Sequence, residues 1–135
     1  MTLKITLKPG ESFFVGRAEV FAQGNSVTHL FVRGDAAVLR DEDYMREEDA
    51  DTNAKRLHFV LQQMYLTGDM RARHVEYFSL VQALIAENPD TNAMVADLNQ
   101  LLIEGQFYKA IKLAKCLNNT NLTRNVTRRR MAAAG

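Results

Sequence analysis

Lys4 and Lys8 stand on the same parity of the first alternating run of the chain, and Arg33 and Arg40 close the fourth and fifth such runs. Cations at the ends of short strands can do the chemistry of nucleic-acid recognition. A guanidinium stacks on bases and bonds their edges, while the backbone of an edge strand meets nucleotides. A second basic group, Arg124 with Arg128, Arg129 and Arg130, forms a cationic arm of the kind that adds affinity without sequence readout. Phe13, Phe14, Phe21 and Phe31 are candidates for base stacking, although aromatics in a small sheet ordinarily belong to the core. Singly, each of these cations is an ordinary surface charge. The placement of Lys4, Lys8 and Arg40 on the first and last strands is what gives them weight.

Other chemistry is poorly supplied. His29, His58 and His74 have no Cys, Asp or Glu at the spacing of a closed zinc site, so they read as structural or surface histidines. Asp49-Ala50-Asp51-Thr52-Asn53 imitates the first half of a calcium loop. It has Ala54 where the loop needs glycine and Val60 where it needs the last acid. Gly10, Gly16 and Gly24 are too scattered to cradle phosphates. The single cysteine, Cys116, sits in a helical run, reads as a small buried hydrophobe and suits a reducing compartment. No catalytic constellation emerges, so the chain reads as a non-enzyme without a cofactor.

The elements that must position the basic residues follow from a change of period near Arg40. Before it, apolar and polar residues alternate in short runs separated by Pro9-Gly10, Gly16, Gly24-Asn25 and Gly34-Asp35, which predicts five antiparallel strands in hairpin order. After it, Asp41 to Glu48 can open a short helix with its acids in the first turn. Leu57, Val60, Leu61, Met64 and Tyr65 predict an amphipathic helix over Asn53 to Thr67 that ends at Gly68. A second helix begins near Asp69 and stops before Pro89, a third is capped by Asp90 or Thr91 and ends at Gly105, and a fourth runs from Gln106 to Asn118. The fold class expected is α+β: a small five-stranded antiparallel sheet over 1–45, a four- to five-helix extension over 46–118 and a basic mobile tail over 119–135.

Charge is segregated along this plan. The formal net charge is only +1, yet residues 41–51 carry seven acids and residues 119–135 carry four arginines and no acid. The acidic run reads as a solvated, helix-capping face that can also meet a basic partner. Nothing resembles a secretory leader or a membrane span, so a cytoplasmic protein without membrane contact is expected. A sheet this small leaves edges to be paired or covered.

The opening Leu3-Lys4-Ile5-Thr6-Leu7-Lys8-Pro9-Gly10-Glu11, the stretch Ala37-Val38-Leu39-Arg40-Asp41-Glu42-Asp43 with Glu47-Glu48-Asp49, the helix end Met64-Tyr65-Leu66 and Gly105-Gln106-Phe107-Tyr108-Lys109-Ala110 resemble the FlbT family of flagellin-synthesis regulators of alphaproteobacteria. The resemblance covers nearly the whole chain. It implies post-transcriptional repression, by binding the 5′ untranslated leader of flagellin mRNA and promoting its decay. The first third is also remotely similar to the carbon storage regulator (CsrA) family. Its Thr-Arg-Arg-x-Gly-Glu-Ser hairpin falls on Thr6-Leu7-Lys8-Pro9-Gly10-Glu11-Ser12, and the end of its fifth strand falls on Val38-Leu39-Arg40-Asp41-Glu42-Asp43-Tyr44. This second resemblance implies an RNA surface on strands 1 and 5, with Ile5, Lys8, Val38 and Arg40 at the matching positions, and a homodimer through the β-sheet. Leu7 replaces an arginine of that family, which points to a weaker or different RNA preference. The candidate RNA-binding set is thus Lys4, Ile5, Lys8, Val38 and Arg40, with Arg128, Arg129 and Arg130 in the tail. The alternative is a protein-interaction module whose helices grip a flagellar partner such as a FlaF-family protein, without direct RNA contact.

Overall fold

The computed structural model describes residues 2–117, and the tail expected over 119–135 lies outside the described residues. The chain is α+β. Strands β1 (Thr2–Leu7), β2 (Ser12–Val15), β3 (Ala18–Phe21), β4 (Thr28–Arg33) and β5 (Val38–Arg40) precede helices α1 (Asn53–Thr67), α2 (His74–Glu87) and α3 (Asn92–Ile103). A fourth helix, α4, occupies 107–117 of the described residues.

The strands do not form the single sheet in hairpin order that their spacing suggests. They make two antiparallel sheets, β1–β4 and β3–β2–β5. Only β2 and β3 form a local hairpin, closed at Gly16, whose φ of 57° is a left-handed conformation that favours glycine. β1 skips its sequence neighbour and pairs with β4, Ile5 opposite Leu30, while β5 returns to β2, Phe14 opposite Leu39. The reason is burial: this pairing puts Ile5, Leu7 and Phe13 into one small core with Val15, Val20, Leu30, Val32 and Val38 around it. Alternation alone fixes which face a residue takes and not which strand lies beside it.

The helices build a larger core around α1. Leu57, Val60, Leu61 and Met64 on α1 meet Leu80, Val81 and Leu84 of α2, Val95 and Leu98 of α3, and Ala110, Ile111 and Ala114 of α4. Burial on nearly every side makes α1 the central rod of the bundle. Thr52 caps its start by accepting from the Lys55 N–H, and Gly68, with φ of 72°, closes its end. The second helix, expected to begin near Asp69, begins at His74: Asp69 accepts from the Ala72 N–H and so caps a 3₁₀ turn, Arg71–Arg73, that precedes α2, whose own start at Arg73 has no side-chain cap. The helix expected over Asp41 to Glu48 is instead two 3₁₀ turns, Asp41–Asp43 and Glu47–Asp49, separated by extended backbone at Tyr44 and Arg46. Cys116 is exposed and not buried, because Ala110, Ile111, Ala114 and Leu117 claim the inward face of α4.

β5 joins the two cores. Val38 packs with the sheet core, whereas Leu39, one residue on and pointing the other way, belongs to the helical core. No helix among the described residues is long and apolar enough to cross a membrane.

Candidate nucleic-acid interface

The register of β1 against β4 divides their side chains into two faces. Leu3, Ile5 and Leu7 oppose Val32, Leu30 and Thr28, whereas Thr2, Lys4 and Thr6 oppose Arg33, Phe31 and His29. Ile5 is 1% exposed and lies in the core, so it supports the strand from within. Lys4 points outward, and Lys8 lies just past β1 in a turn. That turn is fixed by Glu11, whose carboxylate accepts from the Lys8 N–H at 2.7 Å.

Arg40 ends β5 on the exposed surface. It lines two clefts together with Ile5. One, of about 310 Å³, is walled by Leu3, Val32, Val38, Tyr65 and Tyr108; the other, of about 180 Å³, includes Thr6, Glu11 and Phe13. The structure therefore brings Ile5, Val38 and Arg40 together, while Lys4 and Lys8 stand apart from that group. Arg128, Arg129 and Arg130 lie outside the described residues. Among the described residues, Lys4, Lys8, Arg33 and Arg40 make no ion pair. By contrast Arg46 lies between Glu19 and Asp41, at 4.0 and 3.6 Å.

The segment that carries β5 into α1 is held by a polar stripe on α1 that the apolar pattern obscured. His58, Gln62 and Tyr65 follow helical spacing, and all three bond backbone between Val38 and Met45. The Tyr65 hydroxyl donates to the Val38 carbonyl at 3.1 Å and accepts from its N–H at 3.4 Å. Gln62 does the same for Met45, accepting from its N–H at 2.6 Å and donating to its carbonyl at 2.9 Å. His58 Nε2 donates to the Asp43 carbonyl at 2.7 Å, and its buried Nδ1 has no partner among the described residues. Beneath α4, the fully buried Asp43 carboxylate meets Lys112 at 2.7 Å, Lys115 at 3.1 Å and the Tyr108 hydroxyl at 3.3 Å. The sequence signal for this clasp is the spacing of Tyr108, Lys112 and Lys115 on one face of α4.

Burial holds the His58 imidazole below its ordinary value of 6.5, outweighing the carbonyl bond that works the other way. Neutral His58 is thus the form that the fold favours. As pH falls below 6.5 the unfolded chain takes up a proton that the folded one resists, and stability declines. Urea midpoints measured across this range are expected to fall for the wild type and to flatten for His58→Gln.

No group of three or more His, Cys, Asp or Glu that could hold an ion occurs among the described residues. Phe13 is buried in the sheet core and Phe14 is stacked on Tyr44 with ring centroids 3.6 Å apart, which removes both as stacking candidates. Phe21 and Phe31 are exposed, at 66% and 68%.

A family model described as "Flagellar protein FlbT" matches residues 3–122, nearly the whole chain. The chain belongs to the FlbT family. Among its FlbT relatives, the "Probable flagellum biosynthesis repressor protein FlbT 1" of Bradyrhizobium diazoefficiens is 31% identical over 118 residues, covering 87% of this chain and 80% of that one. A "Probable flagellum biosynthesis repressor protein FlbT" of Rhodopseudomonas palustris is 30% identical, covering 83% of this chain and 88% of the relative. The "Flagellum biosynthesis repressor protein FlbT" of Caulobacter vibrioides is 29% identical, covering 87% and 84%. No solved structure matches the FlbT chain at a significant level. The family anticipated from the opening strand and the Gly105-Gln106-Phe107-Tyr108 segment is the one found.

Proposed function

We propose that this chain is a post-transcriptional repressor of flagellin synthesis and flagellum biogenesis, acting in the cytoplasm by binding the 5′ untranslated leader of flagellin mRNA and promoting its decay. The observation that carries the reading is the kinship over most of the chain with proteins named flagellum biosynthesis repressors. Lys4, Lys8, Arg33 and Arg40, which make no ion pair among the described residues, support the RNA contact, because a cation already neutralised by an acid has less to offer a phosphate. Arg40 contacts RNA from the mouth of the clefts, Lys4 and Lys8 add phosphate contacts, and Ile5 and Val38 hold the strands beneath them. Arg128, Arg129 and Arg130 supply nonspecific phosphate contacts. Among the described residues β1 pairs with β4 alone, which leaves its other edge to a strand of a second copy and favours a homodimer through the sheets.

Fluorescence anisotropy of a labelled flagellin leader against a scrambled RNA of equal length tests the reading. Arg40→Ala is expected to lower leader selectivity roughly tenfold. Deleting residues 124–135 is expected to reduce the salt dependence while selectivity survives. Absence of leader-selective binding by the folded wild type would overturn direct RNA contact.

A second reading has its own observation. Met64, Met70, His74, Tyr77, Phe78, Leu102 and Ile103 line a groove of about 430 Å³ across the helices. Met70, Phe78 and Ile103 there are exposed at 42%, 52% and 79%. Such a surface fits a protein partner, a FlaF-family protein on this reading. In that case Phe78→Ser abolishes partner capture while the sheet variants leave it intact.

A further inference from the structure

The outward face of β1 and β4 is a small lattice of six side chains, Thr2, Lys4 and Thr6 against Arg33, Phe31 and His29. Phe31 lies at its centre, directly opposite Lys4, with His29 and Arg33 two residues away on its own strand. It is 68% exposed although the strand's inner face has a core to fill, so the position forgoes the burial that a phenylalanine normally gains. Thr6 Oγ1 and His29 Nδ1 lie 3.2 Å apart, which holds the polar end of the face together. None of the six residues is acidic.

We propose that this face is a stacking platform for single-stranded RNA, with one base lying on the Phe31 ring. Lys4 and Arg33 flank the ring and take the phosphates on either side of the stacked nucleotide. Strand geometry suits the task, since same-face neighbours stand roughly 7 Å apart along a strand and cross-strand partners about 5 Å apart. An exposed aromatic accepts any base through its π-face, and cations beside it make the site selective for a charged strand over an apolar peptide. A second copy of the chain is a poorer occupant. A two-fold interface of this face with itself would bring Lys4 and Arg33 of both copies into one contact in which none of the six residues supplies an acid to neutralise them. The inference rests on the RNA-binding reading and adds to it an aromatic contact on the face of β1 and β4 that carries Lys4.

The chain contains no tryptophan, so Phe31→Trp installs a single tryptophan, selectively excited at the red edge apart from the tyrosines, at the proposed stacking position. The full-length variant is titrated with a short single-stranded RNA taken from a flagellin leader, and with the same RNA annealed to its complement. Quenching by the single strand and not by the duplex is expected. Phe31→Ala is expected to weaken single-strand binding roughly tenfold, and Phe31→Tyr to retain it. Because Phe31 is exposed, these variants should fold, and circular dichroism checks this. Wild-type binding that Phe31→Ala leaves unchanged would overturn the platform while leaving RNA binding by other residues intact. Absence of any RNA binding by the wild type would overturn both. A change of sedimentation mass in Phe31→Ala with unchanged RNA affinity would reassign the face to contact between copies.

Discussion

Asp43→Asn is expected to destabilise the fold by about 2 to 3 kcal/mol, although it changes a single atom type. The carboxylate is fully buried and receives Lys112, Lys115 and the Tyr108 hydroxyl, all from α4. An amide has one acceptor oxygen in place of two and cannot neutralise two ammonium groups. The expected loss stays below that of a wholly buried pair because the Lys112 and Lys115 side chains are 42% and 33% exposed and can turn to solvent. Chemical denaturation at neutral pH measures the difference.

The pH dependence gives that variant a second signature. Burial pushes the Asp43 carboxyl up, but the hydrogen bonds and charges of Lys112 and Lys115 outweigh it, so it lies below its ordinary 3.8. A depressed carboxyl contributes its full stability above the ordinary value and loses it as pH falls through the folded one. Wild type and Asp43→Asn should therefore differ most at neutral pH and converge in acid below 3.8. A gap that persists unchanged into that acid range would show that packing, and not charge, holds the corner.

Leu39→Ala is expected to cost about 3 kcal/mol, within the range for removing a buried leucine side chain. Leu39 is 1% exposed and is the β5 residue that enters the helical core, while its neighbour Val38 serves the sheet core. The variant leaves a cavity at the joint between the two. Because the joint couples both cores, the unfolding midpoint should shift together for far-ultraviolet dichroism, which reports mainly the helices, and for tyrosine fluorescence, to which Tyr44 and Tyr65 beside β5 contribute. Separate transitions would show that the sheets and helices unfold as independent units.

How much of this was legible in the sequence depends on whether an element is decided locally. α1 was readable from Asn53 to Thr67 because its apolar spacing and its Gly68 stop both act within one helix. Pairing of β1 with β4 was not, because hairpin order and skipped order bury the same alternating residues. Among site residues, the exposure of Lys4, Lys8 and Arg40 could be read from charge alone. The division of four phenylalanines into two buried and two exposed could not, since it depends on which strand faces are covered. Asp43 was hidden for a related reason. In a run of seven acids nothing local distinguishes the one that a distant helix will cover.

The Tyr65 hydroxyl that grips both backbone groups of Val38 also acts as a stopper. β5 is a three-residue strand with β2 on one side only, and Val38 would otherwise present a free donor and acceptor to any passing extended chain. With one phenol occupying both positions, a foreign strand must first evict a side chain anchored on a fifteen-residue helix before it can zip onto this edge. The joint between sheet and bundle is thereby protected from runaway self-association, and growth of the sheet, where it occurs, is directed to other strands.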